Sequence, residues 1–263
     1  MIPNPSSKPE PRGSVAIKGE IAPVSVYHRE ILREIRQHAA QEGAPYVDHG
    51  DSYIGTTKPC YLIRTAVVRR FAKDWIRRHP ELTPADYLDL FDSLAQGESN
   101  NEFSFIGMLV EYLPKVRQTL EPCRLERWLD RAEGWEEVDS ICQSTFAAHE
   151  MLANWKQWKS LLVSLSKSQN VHKRRASLVL LTKPVKESTD PRLARLAFAN
   201  IGRLKSDKDI LVTKAVSWLL RALIQYHRQE VERYLKDNSD SLPQIALRET
   251  RNKLKSGHKS GKL

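Results

Sequence analysis

The stretch Lys214–Ile224 reads KAVSWLLRALI, and its apolar residues recur at the spacing of an α-helix. One side of this helix carries Val216, Leu219, Leu220 and Leu223 and is predicted to be buried. Nearly every other apolar segment has the same periodicity, and none alternates with period two between turn residues. The sequence therefore predicts an all-α fold.

The starts of several predicted helices are marked by a capping oxygen before a proline, as at Thr83-Pro84 and Asp190-Pro191. The predicted helices cover 25–42, 58–79, 84–96, 102–114, 119–132, 136–149, 151–165, 171–183, 191–204, 208–225, 227–238 and 243–255. Helices of this length joined by short links favour stacked antiparallel pairs of the HEAT-like type, an α-solenoid whose concave face can hold duplex DNA. A compact helical bundle is the alternative.

The two ends of the chain differ from its middle in composition. Residues 1–22 are rich in proline and predict a disordered arm, 23–255 predict a single domain, and 256–263 predict a basic flexible tail. No window approaches the roughly 18 apolar residues of a membrane helix. We therefore expect a soluble protein that does not enter a membrane.

The cysteines and the missing motifs exclude several classes of protein. Cys60, Cys123 and Cys142 are widely spaced and form no C-x-x-C pair, which argues against a disulfide framework or a zinc site and favours the cytoplasm. The phosphate-binding, dinucleotide-binding, hydrolase and zinc-protease signatures are all absent. We expect no metal, no nucleotide and no other cofactor, so any chemistry must use carboxylates, aromatic rings and cations.

Charge is distributed unevenly along a chain whose formal net charge is +10. Residues 81–150 hold five Lys/Arg against fifteen Asp/Glu, whereas residues 172–221 hold twelve against four. Such asymmetry predicts a polyanion bound to the second half with salt-dependent affinity. A basic surface that only keeps the protein soluble is the alternative.

An acidic segment, Glu133–Gln143, contains the first candidate pair of site residues. Trp135 and Asp139 lie four residues apart and share a face if a helix begins near Gly134. A buried tryptophan beside a capping aspartate is the alternative. The glutamates between them, Glu136 and Glu137, are predicted to be helix-opening residues stabilised by the helix dipole.

Two basic segments supply the other candidates. In Asn170–Pro184, the buried run that follows Arg175 turns Arg174 and Arg175 toward another face, and Lys183 lies about 80° from Arg175 on a continuous helix. Both could then follow one phosphate track, although a solvated face explains them equally well. In KAVSWLLRALI, one face carries Lys214, Trp218 and Arg221. A tryptophan of the core is again the alternative.

In order and chemistry these segments resemble the DNA alkylation repair glycosylases of the HEAT-like-repeat, AlkD type. The family's W-x-x-x-D-x-x-D-like start, N-[IV]-x-x-x-R-A stretch and K-A-[IV]-G-W-x-L-R helix are matched at Trp135 and Asp139, at Asn170–Ala176 and at Lys214–Arg221. A fourth match, Tyr46 nine residues before Gly55, resembles the family's tyrosine and following turn. The likeness spans roughly residues 25–255, with departures at His172, where the family has Trp, and at Ser217, where it has Gly.

The resemblance implies an enzyme that hydrolyses the N-glycosidic bond of cationic alkylated purines, 3-methyladenine and 7-methylguanine, in duplex DNA, without a pocket for a flipped base. It implies catalytic roles for Asp139, Trp135, Trp218 and Arg175. It implies DNA contacts from Tyr46, Lys183, Lys214, Arg221 and Arg174, and we expect a monomer. The alternatives are a non-catalytic protein that binds DNA structures and a scaffold whose acidic segment recruits a basic protein.

Overall fold

The structure is a computed structural model and describes residues 25–43, 46–48, 50–143 and 145–261. The predicted arm, residues 1–22, and the last two residues of the predicted tail lie outside the described residues. The first half contains α1 (Val26–Gln41), β1 (Tyr46–Val47), β2 (Cys60–Tyr61), α2 (Thr65–Arg78), α3 (Pro84–Leu94), α4 (Asn100–Tyr112), α5 (Pro114–Thr119) and α6 (Pro122–Leu129). The second half contains α7 (Gly134–Cys142), α8 (Ala148–Ala153), α9 (Trp155–Ser166), α10 (Val171–Val179), α11 (Pro184–Glu187), α12 (Pro191–Leu204), α13 (Ile210–Asp237) and α14 (Gln244–Ser256).

Side chains before the first turn fix where several helices begin. Thr83 accepts a hydrogen bond from the backbone of Asp86, whose carboxylate accepts one in return, and this capping box starts α3. Asp190 caps α12 by accepting from the backbone of Arg192, with proline at the first helical position. The predicted starts at these two prolines are confirmed.

The helices pack on one another in two rows. In one row α2, α4, α7, α10 and α13 contact each other in succession, and α14 packs against α13. In the other row α6, α9 and α12 follow one another, and the pairs α3 with α4, α9 with α10, and α12 with α13 join the rows. We call the row that contains α7, α10 and α13 the inner row. The all-α prediction of stacked helix pairs is confirmed.

A glycine allows the close approach of two helices in the inner row. A Cβ on Gly107 of α4 would lie 2.0 Å from the backbone oxygen of Ser140 in α7. Any side chain there would force the two helices apart, because no Cβ tolerates such a contact. The position of α7, and of the residues it carries, therefore depends on Gly107.

Several segments differ from the sequence prediction, among them the helix predicted for 136–149, which ends at Cys142 and is followed by the separate helix α8. The helix predicted for 58–79 begins only at Thr65, because β2 pairs with β1 in a short antiparallel hairpin. The helix predicted for 171–183 ends at Val179, and turns lead from there to α11. The predicted break near residue 226 is a kink at His227, where φ is −126° inside α13.

A search of the described helices for one both long and apolar enough to span a bilayer finds none.

Candidate active site

The first turn of α7 is held by the backbone of the loop that follows the β1 segment. The Trp135 N–H donates to the Ile54 carbonyl at 3.0 Å, and Trp135 Nε1 donates to the Tyr53 carbonyl at 2.9 Å. Gly134 has φ +70°, and a Cβ there would lie 2.4 Å from the Ile54 oxygen. Only glycine fits this approach. The loop therefore holds Trp135 at two points, its backbone N–H and its indole N–H.

An exposed tyrosine lies against Trp135. The rings of Tyr53 and Trp135 meet edge to face, with centroids 5.6 Å apart and planes at 85°. Tyr53 is 79% exposed, and Trp135 is half-buried. The two rings form an aromatic surface at the start of α7 that can contact a deoxyribose or a base.

The tyrosine selected from the sequence lies elsewhere in this segment. Tyr46 belongs to β1 and packs on Tyr61 of β2, with ring centroids 4.5 Å apart. The sequence offered Tyr53 as an equal candidate, because Tyr46 and Tyr53 both precede Gly55. What it could not show is that the turn, closed by the Gly55 N–H donating to Asp51, brings Tyr53 to Trp135.

The carboxylate of Asp139 is bound at both oxygens by Arg175 of α10. Arg175 Nε donates to one oxygen at 2.9 Å and Nη2 to the other at 2.7 Å. The exposed fractions of the two side chains are 12% for Asp139 and 7% for Arg175. Burial raises the pKa of Asp139, while the hydrogen bonds and charge of Arg175 oppose that rise. The ion pair fixes a buried carboxylate one helical turn beyond Trp135.

Arg175 also links this pair to α13. Its Nη1 donates to the Leu211 carbonyl at 2.6 Å. Trp218 lies seven residues beyond Leu211, which places both on one side of α13, roughly 10 Å apart along its axis. Trp218 is half-buried and Lys214 is exposed. The predicted catalytic residues thus lie on three successive helices of the inner row, with Arg175 as the link.

Three of the five N–H groups of Arg175 are used by these bonds. Only 7% of the side chain is exposed, so little of it could contact a phosphate, and the predicted phosphate contact stays a prediction. The structure adds a role that the sequence did not indicate, because Arg175 fixes the orientation of Asp139.

A buried ion pair between Lys58 and Glu137 lies at the start of α7. Lys58 Nζ lies 3.0 and 2.9 Å from the two oxygens of Glu137 and donates to the Arg131 carbonyl. Glu137 has no exposed surface, and burial raises its pKa to about 7 although Lys58 opposes the shift. The sequence pattern predicts Glu137 in the first turn of α7, which is confirmed, but only as a helix-opening residue, and no pattern in the sequence indicates Lys58.

Two of the predicted DNA-binding cations have other surroundings than expected. Arg174 pairs with Asp207 at 2.7 Å and donates to the backbone oxygens of Ser168 and Gln169, so it ties two loops together. Lys183 lies beyond the end of α10, 3.8 Å from Glu187. The expected 80° relation between Lys183 and Arg175 is wrong, because the helix does not continue to that residue.

Arg221 belongs to a polar cluster between α13 and α14. Ser217 Oγ donates to Glu249 at 2.7 Å, and Arg221 lies 3.4 Å from the same carboxylate. Burial lowers the pKa of Arg221, and Glu249 opposes that shift. The serine at position 217 is therefore accommodated by its bond to α14.

The other departure from the family pattern, His172, is half-buried, and its Nδ1 is without a hydrogen-bond partner in the described part of the chain. Burial lowers the pKa of His172. Among the described residues no group of three or more His, Cys, Asp or Glu side chains could hold a metal ion. The groups that meet at the site are therefore a carboxylate, aromatic rings and arginine.

The comparison with protein families agrees with this arrangement. The model of the DNA alkylation repair enzyme family matches residues 31–254, which is most of the 263-residue chain. No curated protein gives a significant match. The chain belongs to the DNA alkylation repair enzyme family.

Proposed function

We propose that the protein is a monofunctional DNA glycosylase that releases cationic N3- and N7-alkylated purines from duplex DNA. The observation that carries the proposal is the position of Asp139, a largely buried carboxylate that is paired with Arg175 and lies one turn beyond the aromatic surface of Trp135 and Tyr53. Membership of a DNA alkylation repair family supports DNA as the partner. The lesions expected are 3-methyladenine and 7-methylguanine.

The substrate supplies most of the driving force. A purine alkylated at N3 or N7 carries a positive charge, so its glycosidic bond needs little acid assistance. As the C1′–N9 bond breaks, its electron pair neutralises the base and the deoxyribose gains oxocarbenium character. Asp139 faces this positive charge and orients a water whose oxygen bonds to C1′, and the water's proton passes to Asp139 or to solvent.

The aromatic residues act on the sugar. Trp135 on α7 and Trp218 on α13 belong to the two helices that pack against α10, and their ring faces can stabilise a cationic sugar. Because these groups address the deoxyribose, the proposed reaction takes place from the backbone side and requires no pocket for a flipped base. Lesions that are uncharged would be poor substrates.

Cations in the second half of the chain bind the DNA phosphates. Lys214 is exposed beside Trp218, and Arg221 lies one turn beyond Trp218 on α13, where Glu249 neutralises part of its charge. Their charge offsets the repulsion between Asp139 and the phosphates. We propose a monomer that acts in the cytoplasm, where three free cysteines are compatible with a reducing environment.

A non-catalytic DNA-structure-binding protein is the second candidate, and one observation favours it. Both oxygens of Asp139 are occupied by Arg175, which weakens their action on any other cation. The scaffold alternative has less support, because several carboxylates of the acidic segment already form ion pairs within the protein. These include Glu102 with His28, Glu137 with Lys58 and Glu150 with Arg117.

The deciding experiment measures release of 7-methylguanine and 3-methyladenine from methylated duplex DNA under single-turnover conditions. The glycosylase predicts release by the wild-type protein and a large loss in Asp139→Asn. Salt-dependent DNA binding without release by the wild-type protein would leave the binding protein as the function.

A further inference from the structure

A cavity of about 520 Å³ lies between α1, α2, α4 and the hairpin, beside the first turn of α7. Its wall is mainly apolar, with Ile54, Ile63 and Met108 among its residues. Two rings of the wall, Phe71 and Phe105, are stacked with centroids 4.6 Å apart. Volumes of about 300–1,000 Å³ are usual for small-molecule sites, so the cavity can hold a ligand with an apolar body.

One charged group in the cavity wall has no partner. Glu136 is half-buried, and among the described residues it makes no hydrogen bond and no ion pair. Burial, and then the charge of Asp51, raise the pKa of Glu136. A carboxylate withdrawn from water without a partner is destabilising, and a bound cation removes that cost.

The other carboxylates near Glu136 already have partners. Glu42, which also lines the cavity, is neutralised by Arg64 at 2.7 Å. Next to Glu136 in the chain, Glu137 is paired with Lys58 at 2.9 Å. The cavity wall therefore presents one carboxylate that a ligand can neutralise.

The uncharged polar groups of the wall offer hydrogen-bond acceptors as well. Ser104 lines the cavity, and its Oγ has no hydrogen-bond partner in the described part of the chain. Asn100 uses a side-chain N–H on Glu137 at 3.4 Å, and the oxygen of the same amide can accept. An ammonium group has three N–H donors and no acceptor, so it is the cation that this set of oxygens suits.

We propose that this cavity binds a small primary amine whose ammonium group pairs with Glu136 and whose body is apolar. The positive charge follows from the unpaired carboxylate, and the N–H donors follow from the acceptors of Ser104 and Asn100. The apolar body follows from the stacked rings of Phe71 and Phe105. Binding involves no DNA, so the amine site does not depend on the proposed glycosylase activity.

Three probes with the same phenylethyl body separate these features. Phenethylamine is protonated at pH 7, 2-phenylethanol is its uncharged counterpart, and trimethyl(phenylethyl)ammonium keeps the charge without any N–H donor. Chemical-shift titration of the isotope-labelled full chain by nuclear magnetic resonance measures the affinity for each. We expect phenethylamine to bind about tenfold more tightly, or more, than either other probe, because only its ammonium group donates hydrogen bonds to a carboxylate.

The same titration locates the bound amine. Ile54 lines the cavity and accepts the Trp135 backbone N–H at 3.0 Å, so the amide resonances of Trp135 and Glu136 should shift with occupancy. Glu136→Gln is expected to bind phenethylamine about tenfold more weakly and to lose the preference over 2-phenylethanol. Val68→Phe, which enlarges a side chain of the wall, should weaken all three probes.

Glu98→Gln is the matched control, because Glu98 is exposed and lies outside the cavity. It should retain the tenfold preference, and circular dichroism should show all variants folded. Equal affinity of the wild-type protein for phenethylamine and 2-phenylethanol, or no binding of phenethylamine, overturns the proposal. A preference that persists in folded Glu136→Gln does so as well.

The comparison of the three probes on the wild-type protein needs no variant, so it decides the proposal even where Glu136→Gln does not fold. Base release from methylated DNA is a separate measurement on the same protein. A protein that binds phenethylamine and releases no base would lose the glycosylase function and keep the amine site, and the converse result would do the opposite.

Discussion

Arg175 of α10 binds both carboxylate oxygens of Asp139 in α7, at 2.9 and 2.7 Å, and the two side chains are nearly excluded from water. Two charges buried in this way stabilise each other, and loss of either leaves the other uncompensated. The proposed catalytic carboxylate and its orientation are therefore coupled to the stability of the inner row. Mutations at either residue must be interpreted with a measurement of folding beside the measurement of activity.

Asp139→Asn retains the size of the side chain and one acceptor but removes its charge. We expect the rate of 7-methylguanine release to fall about 100-fold or more, because the cationic sugar loses the charge that faces it. Single-turnover release measures this effect. Asp89→Asn is the control, since that carboxylate is 80% exposed and lies in α3. An unchanged rate in Asp139→Asn contradicts the proposed mechanism.

Arg175→Ala is expected to lower the free energy of unfolding by roughly 3–5 kcal/mol, because it leaves Asp139 buried without a partner. Urea denaturation measures the loss. The double variant Asp139→Ala with Arg175→Ala should recover part of it, since no charge then remains buried. Additive losses in the double variant would show that the pair contributes nothing to stability.

The two tyrosines of the 46–55 segment give a test of the aromatic surface. Tyr53→Ala is expected to lower base release, because the ring of Tyr53 extends the face of Trp135. Tyr46→Ala is the matched comparison, as Tyr46 packs on Tyr61 in the hairpin. The same release assay on both variants decides which tyrosine serves the site, and a loss confined to Tyr46→Ala would favour the residue selected from the sequence.

Residues whose position follows from local periodicity were predictable from the sequence. Trp135 and Asp139 lie one turn apart on α7, and Lys214, Trp218 and Arg221 lie on one side of α13, as their spacing indicates. The capped starts of α3 and α12 were predictable because a capping residue and a proline act within one turn.

Contacts between distant parts of the chain were not predictable in this way. Lys58 and Glu137 are separated by 79 positions, and no local pattern marks a lysine that will be buried against a glutamate. The bond between Arg175 and Asp139 spans 36 positions and depends on how α7 and α10 pack. Lys183 was misplaced for a related reason, since the end of α10 at Val179 is set by turns that bury the following leucines.

The raised pKa of Glu137 gives a prediction for pH. A free glutamate has a pKa of 4.5, and burial raises that of Glu137 to about 7, so the folded protein holds this proton more tightly than the unfolded chain. The contribution of Glu137 to the free energy of unfolding should therefore be highest below about pH 4.5 and fall by up to roughly 3 kcal/mol as the pH rises to 7. Denaturation of the wild-type protein and Glu137→Gln across this range measures it.

Glu137→Gln should lose this component of the pH dependence, because the glutamine does not ionise, whereas Glu98→Gln should behave like the wild-type protein. Parallel curves for the wild-type protein and Glu137→Gln would show that Lys58 keeps Glu137 charged throughout the range.

Lys214 tests the proposed path of the DNA backbone. It is exposed beside Trp218 on the inner row, whereas Lys156 is exposed on α9 in the other row. Each phosphate contact contributes about 0.9 to the slope of log K against log salt concentration for duplex DNA. Fluorescence anisotropy at several salt concentrations should therefore show a slope about 0.9 smaller in Lys214→Gln and an unchanged slope in Lys156→Gln. The reverse result would place DNA on the row opposite Asp139, where no proposed catalytic residue could reach it.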